Sequence, residues 1–231
     1  MINILDIGIL MILIMFLIVG FKRGVIKEVV SLVGIIIVFI LSWSFKNILG
    51  NFLCIIFPFF DFIGVLEGMS SLNVLFYQAI AFMIIFCLLL SIYTISLKIS
   101  RFVQKIVNMT LILWLPSKLL GAVASFIKGY LLLMICFIFL VIPFGNISIF
   151  RESRIMNYML YNTPIVSSYT HNFMYSIERT YDLANNISNG TISVDDANYE
   201  AIVIMLDYNV TNKSTINDLI DLNKIKNIDK F

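Results

Sequence analysis

Few residues in this chain are of a type that does chemistry. His171 is the single histidine. A nucleophilic triad needs a serine, an imidazole and a carboxylate in contact, and the C-terminal part of the chain has serines and acids to spare. It lacks a glycine-framed serine and any strand pattern for a sheet that would present one. His171 therefore reads as a partly exposed helix residue. Cys54, Cys87 and Cys136 lie far apart, with no Cys-x-x-Cys, no histidine pair and no acidic loop of the calcium-binding kind. Cys87 and Cys136 sit in apolar runs, as small packing residues do. The stretch from Gly20 to Gly24 looks like a phosphate loop but has neither its spacing nor a preceding strand. No enzymatic activity, cofactor or metal is expected.

The more telling polar residues stand inside or beside apolar stretches. Asp6 lies about one turn into the first of them. It is either a proton or ion site, or a partner for a buried cation, or an edge residue at headgroup depth favoured by a helix N-terminus; the last is the preferred reading. Arg23, Gly24, Lys27 and Glu28 stand at the entry to the second stretch. An Arg23–Glu28 ion pair would fix the turn, whereas solvated interfacial charges are the plainer alternative. Lys128 lies about ten residues into the fourth stretch. It either points into the bundle or snorkels to the nearer interface, and snorkelling is favoured. Asp6 and Lys128 belong toward opposite leaflets and are not paired. Gly121, Ser125 and Gly129 recur every fourth residue, a ridge of small side chains that lets another backbone come close. Gly24, Ser31 and Gly34 make a looser ridge, so the second and fourth helices are expected to pack by these faces, within one chain or across a homo-oligomer.

Composition says what must position these residues. Of 231 residues, 60% are hydrophobic and 13% charged, and the mean hydropathy is +0.98. Soluble domains carry about a quarter charged residues, so a water-soluble globule is excluded. Spanning about 30 Å of hydrocarbon takes about 20 apolar helical residues. Four stretches suffice: about 2–20, 29–45, 74–97 and 119–142. Lipid cannot hydrogen-bond an open backbone, so each must be a helix. The fold class expected is all-α, a four-helix integral membrane bundle over 1–143 with a polar, partly helical tail over 144–231. The first stretch lacks a basic leader and is followed, not preceded, by Lys22 and Arg23, unlike a cleaved signal peptide.

Basic residues set the orientation. Lys22, Arg23 and Lys27 lie in the first loop, and Lys98, Arg101, Lys105 and Lys118 in the third; the second has only Lys46. The positive-inside rule places the first and third loops in the cytoplasm and both termini outside. The basic residues form no patch suited to nucleic acid. Asn51–Leu66, broken by Pro58 and Asp61, is expected to be interfacial or re-entrant. In the link from Arg101 to Leu115, Arg101, Gln104, Lys105 and Asn108 share one helical face. That fits a helix in the inner headgroup plane or an extension of the third span. In the tail, helical periodicity over 151–183 breaks at Asn162-Thr163-Pro164, and 185–190 reads as a loop. Ser193 and Ser214 are candidate N-caps of two short helices. That hairpin is too small for its own core and must lean on the membrane domain or on a partner.

Two blocks resemble the colicin V production protein (CvpA) family. One is Asp6 followed by Gly20-Phe-Lys-Arg-Gly24 and then Glu28, Ser31 and Gly34; the other runs from Lys118 through Gly121 and Ser125 to Lys128-Gly129. The resemblance covers about 1–143 and leaves the tail beyond Asp195 unaccounted for. It implies a multi-pass protein of the bacterial plasma membrane, tied to production or export of a peptide toxin or to envelope maintenance. Some relatives add a serine protease domain, which nothing in this chain matches. The function expected is non-enzymatic docking of an envelope or secretion partner, with the lipid bilayer as solvent. The alternative is a small transporter or channel subunit. For orientation, an impermeant maleimide should label Ser193→Cys on intact cells and should not label Asn108→Cys; the reverse pattern inverts the topology.

Overall fold

The computed structural model describes residues 3–99, 114–145, 147–163, 166–226 and 228. Among them the chain is helical, with no strand. Four long helices carry the apolar sequence: α1 (Ile4–Arg23), α2 (Val25–Ile56), α3 (Leu72–Ile99) and α4 (Trp114–Phe144). Each is long and apolar enough to cross a membrane. The tail adds α5 (Ser148–Arg151), α6 (Arg154–Tyr161), α7 (Val166–Ser188), α8 (Val194–Asp207) and α9 (Lys213–Asp221). The link proposed as an interfacial helix lies outside the described residues.

Burial has the pattern expected of lipid as solvent. On α1, Ile9, Leu13 and Gly20 face inward, while Ile7, Leu10, Met11, Ile14 and Ile18 are exposed. An apolar face of that size would be a liability in water, but it is what a helix at the rim of a membrane bundle needs. The protein is thus a multi-pass membrane protein.

The helices pack as two pairs: α1 lies chiefly on α4 and α2 chiefly on α3, with α2 also crossing α4. The ridge of small residues explains the first pair, and corrects the expectation that α2 was its partner. A Cβ on Gly20 would come 2.3 Å from the Ser125 Cβ and 2.4 Å from the Gly121 carbonyl oxygen. One on Gly121 would meet the Gly24 backbone at 2.7 Å, and one on Gly129 the Phe16 ring at 2.5 Å. Gly121, Ser125 and Gly129 therefore seat Phe16, Gly20 and the Gly24 turn, which belong to α1 and its end. Gly34 of α2 instead receives the Tyr93 ring of α3, whose hydroxyl donates to the Val30 carbonyl at 2.7 Å.

Three further expectations are corrected. The second span extends well beyond Phe45, to Ile56, so Asn51–Ile56 is helix and not a re-entrant piece. Its polar side chains are satisfied inside the protein, where Asn51 Oδ1 accepts from Gln78 Nε2 at 2.8 Å and from Thr211 Oγ1 at 3.3 Å. Pro58 then disfavours helix in the residue before it, and Phe57 is extended, with φ −85° and ψ 147°. In the tail, α7 runs on through Asn185–Ser188, and only the turn at Gly190 (φ +70°) breaks the chain. Ser193 caps α8 as expected, but the cap of α9 is Asn212, whose side chain accepts from Thr215 N at 2.8 Å; Ser214 lies within the helix.

The hairpin α8–α9 does lean on the membrane domain. Asn198 Oδ1 accepts from Ser71 N at 2.9 Å, and its Nδ2 donates to the Gly68 carbonyl at 2.9 Å. Phe173 of α7 meets Trp43 of α2 edge-on at 5.7 Å, and Trp43 in turn meets Phe82 of α3. Both ends of the described chain thus lie at one end of the bundle.

The close approach of α1 and α4 is directly testable. Gly20→Ala should lower detergent-solubilised stability by about 1–3 kcal/mol, the usual cost of overpacking, read as a fall in Tm. Gly8→Ala, where a Cβ would meet nothing within 4 Å, should leave Tm unchanged or raised.

Candidate functional site

Gly24 is the start of the site. It separates α1 from α2 with φ +82° and ψ 164°, a conformation open essentially to glycine alone. Its N–H donates to the Gly20 carbonyl at 3.0 Å, closing α1, while its carbonyl accepts from Glu28 N at 3.4 Å. That places Glu28 in the first turn of α2, where the helix dipole favours an anion.

Glu28 is buried at 1% exposure, and each carboxylate oxygen faces a different cation. Lys128 Nζ of α4 donates to Oε2, and Arg23 Nη1 lies 3.5 Å from Oε1. Lys128 is itself 5% exposed and has the Phe16 ring 6.0 Å from its ammonium. It therefore points into the bundle, correcting the favoured expectation that it snorkels. Arg23 keeps its guanidinium largely in the open while reaching back to the acid, so the ion pair forms where solvated charges had been the alternative. Desolvating two charges is costly, and attraction offsets that only with close geometry and further hydrogen-bonding partners. Here the second cation sits at the interface, where its own desolvation is small.

Asp6 is at the other end of the bundle, as expected of a residue not paired with Lys128. It is neither a cation partner nor a headgroup-exposed edge residue: it is buried, and Oδ1 accepts from Ser153 Oγ at 2.5 Å and from Ile155 N at 3.2 Å. Ser153 Oγ in turn accepts from Met156 N at 3.2 Å, so the acid completes the N-cap of α6. Asn3, the N-cap of α1, donates from Nδ2 to the Ile149 carbonyl at 2.6 Å. The head of α1 and the start of the tail are fastened together.

The chain's residues form two separate polar arrangements: Arg23, Gly24, Glu28 and Lys128 with the Gly121–Ser125–Gly129 ridge at one end, and Asp6 with the tail at the other. Ser125 Oγ is buried with no hydrogen-bond partner among the described residues, which fits a packing residue. Among the described residues no group of His, Cys, Asp and Glu is placed to hold a metal ion. His171 is exposed, with its ring stacked on Tyr175.

Two buried or anchoring cations were not singled out from sequence. Lys46, counted only as a loop charge, is 4% exposed within α2. Its ammonium donates to Asn47 Oδ1 at 2.7 Å and lies 4.9 Å from the Trp43 ring and 5.0 Å from the Phe173 ring. Trp43 three residues earlier on the same helical face is the local signal for such a cation–π contact; Phe173 is supplied by the fold. Lys224, after α9, donates to the carbonyls of Cys54 (2.8 Å), Ile55 (2.5 Å) and Phe57 (2.8 Å). It caps the C-terminus of α2, where the dipole favours a cation, and burial lowers its pKa. Nothing local in the sequence marks it.

The buried pair should show itself in a double-mutant cycle. Glu28→Gln or Lys128→Met alone leaves a charge buried without its counterion and should cost about 3–5 kcal/mol. The double variant should recover most of that loss, in detergent melts of the purified protein. Single variants as stable as wild type would mean that the two groups do not meet.

The colicin V production protein family model matches residues 5–164. The match takes in the four spans and extends beyond the resemblance read from the motifs, through α5 and α6, to the break before α7. Neither a search of curated proteins nor one of solved structures returns a significant match. With most of its length matched, bundle and tail cap included, the chain belongs to the colicin V production protein family.

Proposed function

We propose that this is a non-enzymatic docking protein of the bacterial plasma membrane, serving toxin production of the kind its family is named for, or envelope maintenance. Its tail would face outward, the orientation favoured by the basic loops, and would present a partner with a surface held rigidly on the bundle.

The observation that carries this reading is the fastening of the tail. Lys224 binds three carbonyls at the end of α2, Asn198 bridges to Gly68 and Ser71, and Asp6 caps α6. Asn198 and Lys224 fix α8 and α9 against the bundle, and Asp6 fixes α6. Exposed Tyr199 and Leu222, at 48% and 50%, supply apolar contact points on that surface.

A small transporter or channel subunit is the competing reading. It would use Asp6 and Lys128 as pathway groups. Their engagement with Ser153 and Glu28 argues for the docking role, since a group that must exchange a substrate or proton is poorly served by a closed internal partner.

Crosslinking in membranes followed by mass spectrometry tests the proposal. The full chain should capture a defined envelope partner. Deleting residues 190–231 should abolish the capture, and Lys224→Met should weaken it several-fold. Capture untouched by the deletion would remove the tail from the docking role. In proteoliposomes, ion- or pH-dependent flux that disappears in Asp6→Asn or Lys128→Met would establish the transporter instead.

A further inference from the structure

At the tail end of the bundle a cleft of about 360 Å³ opens between the end of α4 and helices α5, α6 and α7. Its volume lies within the range of small-ligand sites. Arg151 of α5 and Glu178 and Asp182 of α7 line it, all three solvent-exposed, the two acids one helical turn apart and hence on one face. Asn157, Tyr161 and Asn185 add further polar groups.

Three observations point to the ligand. First, Arg151 forms no ion pair among the described residues; the pairs there join Arg23 and Lys128 to Glu28, and Arg179 to Asp182 at 3.5 Å. Glu178 likewise forms no ion pair among the described residues, while Asp182 shares its charge with Arg179 at the exposed surface. Second, the cleft lies at the end of an apolar span. Val141 and Gly145 line it, the span ends at Ile142, and Tyr181, also in the lining, donates to the Ile142 carbonyl at 2.5 Å. Third, apolar side chains stand exposed beside it: Phe144, Ile147 and Ile149 at 42%, 46% and 45%.

We infer that this cleft binds the phosphoethanolamine group of a membrane phospholipid, Arg151 taking the phosphodiester and Glu178 with Asp182 taking the ammonium. A guanidinium fork matches two phosphate oxygens. Carboxylates need N–H donors, which an ethanolamine ammonium supplies and a quaternary choline does not. A purely anionic headgroup would place its charge against both acids. The exposed Phe144, Ile147 and Ile149 give the acyl chains a surface to run along. The inference is independent of the docking role, since it concerns α5–α7 and not α8–α9.

Native mass spectrometry of the delipidated full chain in detergent tests it, titrating phosphatidylethanolamine, phosphatidylcholine and phosphatidylglycerol. Phosphatidylethanolamine should bind about tenfold more tightly than either of the others, a difference of about 1.4 kcal/mol. Glu178→Gln combined with Asp182→Asn should erase that preference. Arg151→Gln should weaken all three lipids, and Arg151→Lys should restore part of the binding. Glu152→Gln, outside the cleft, should match wild type and serve as the folding control. If soluble glycerophosphoethanolamine binds as tightly as the lipid, the zwitterion site stands and its source is solution, not the bilayer. Equal affinity for phosphatidylethanolamine and phosphatidylglycerol, or an unchanged preference in the acid-to-amide variant, overturns the inference.

Discussion

A carboxylate removed from water has to be met by the chain itself, and Glu28 is met twice. Lys128 reaches it from inside the bundle and Arg23 from the interface. In lipid no solvent substitutes for a missing partner, so this contact constrains far more than its own side chains. It sets the height of α4 against the start of α2. Because Gly24 joins α2 to α1 in a conformation only glycine accepts comfortably, it also sets the end of α1. The small residues of α4 then have one surface to meet, and Gly20 and Phe16 are on it. Charge fixes the register here, and dispersion across the close backbone approach holds it.

The opposite end is built on the same constraint with different groups. Helix termini leave backbone donors and acceptors unsatisfied. At the tail end, Asp6 serves the start of α6, and Lys224 serves the finish of α2, each from a distant part of the chain. Each therefore closes a long loop with a bond whose alternative is an unpaired polar group near hydrocarbon. Together with tail residues such as Phe173, Ile202 and Leu219 that join the bundle's core, they order against it a tail whose short helices could not sustain a core alone. Lys46 belongs to the same logic: two aromatic faces and one amide meet its charge where, among the described residues, no acid does.

Membership of the colicin V production family ties the bundle and its first tail helices to a common plan. The α8–α9 hairpin lies beyond the matched residues, yet it is the part fastened by Asn198 and Lys224.

The number of spans, their helical state and the ridge of Gly121, Ser125 and Gly129 were legible in the sequence, because lipid solvation and backbone hydrogen bonding act on any apolar run of sufficient length, whatever surrounds it. Local signals also marked the Ser193 cap and the break near Pro164. The partners of those features were not legible. Which helix receives the ridge and whether Lys128 turns inward depend on residues about a hundred positions away, and the periodicity of one helix carries no information about the face of another. Asp6 shows the division well. Its burial risk could be read from its place in an apolar run, but its role as a cap for α6 came into being only when the chain folded Ser153 back onto it.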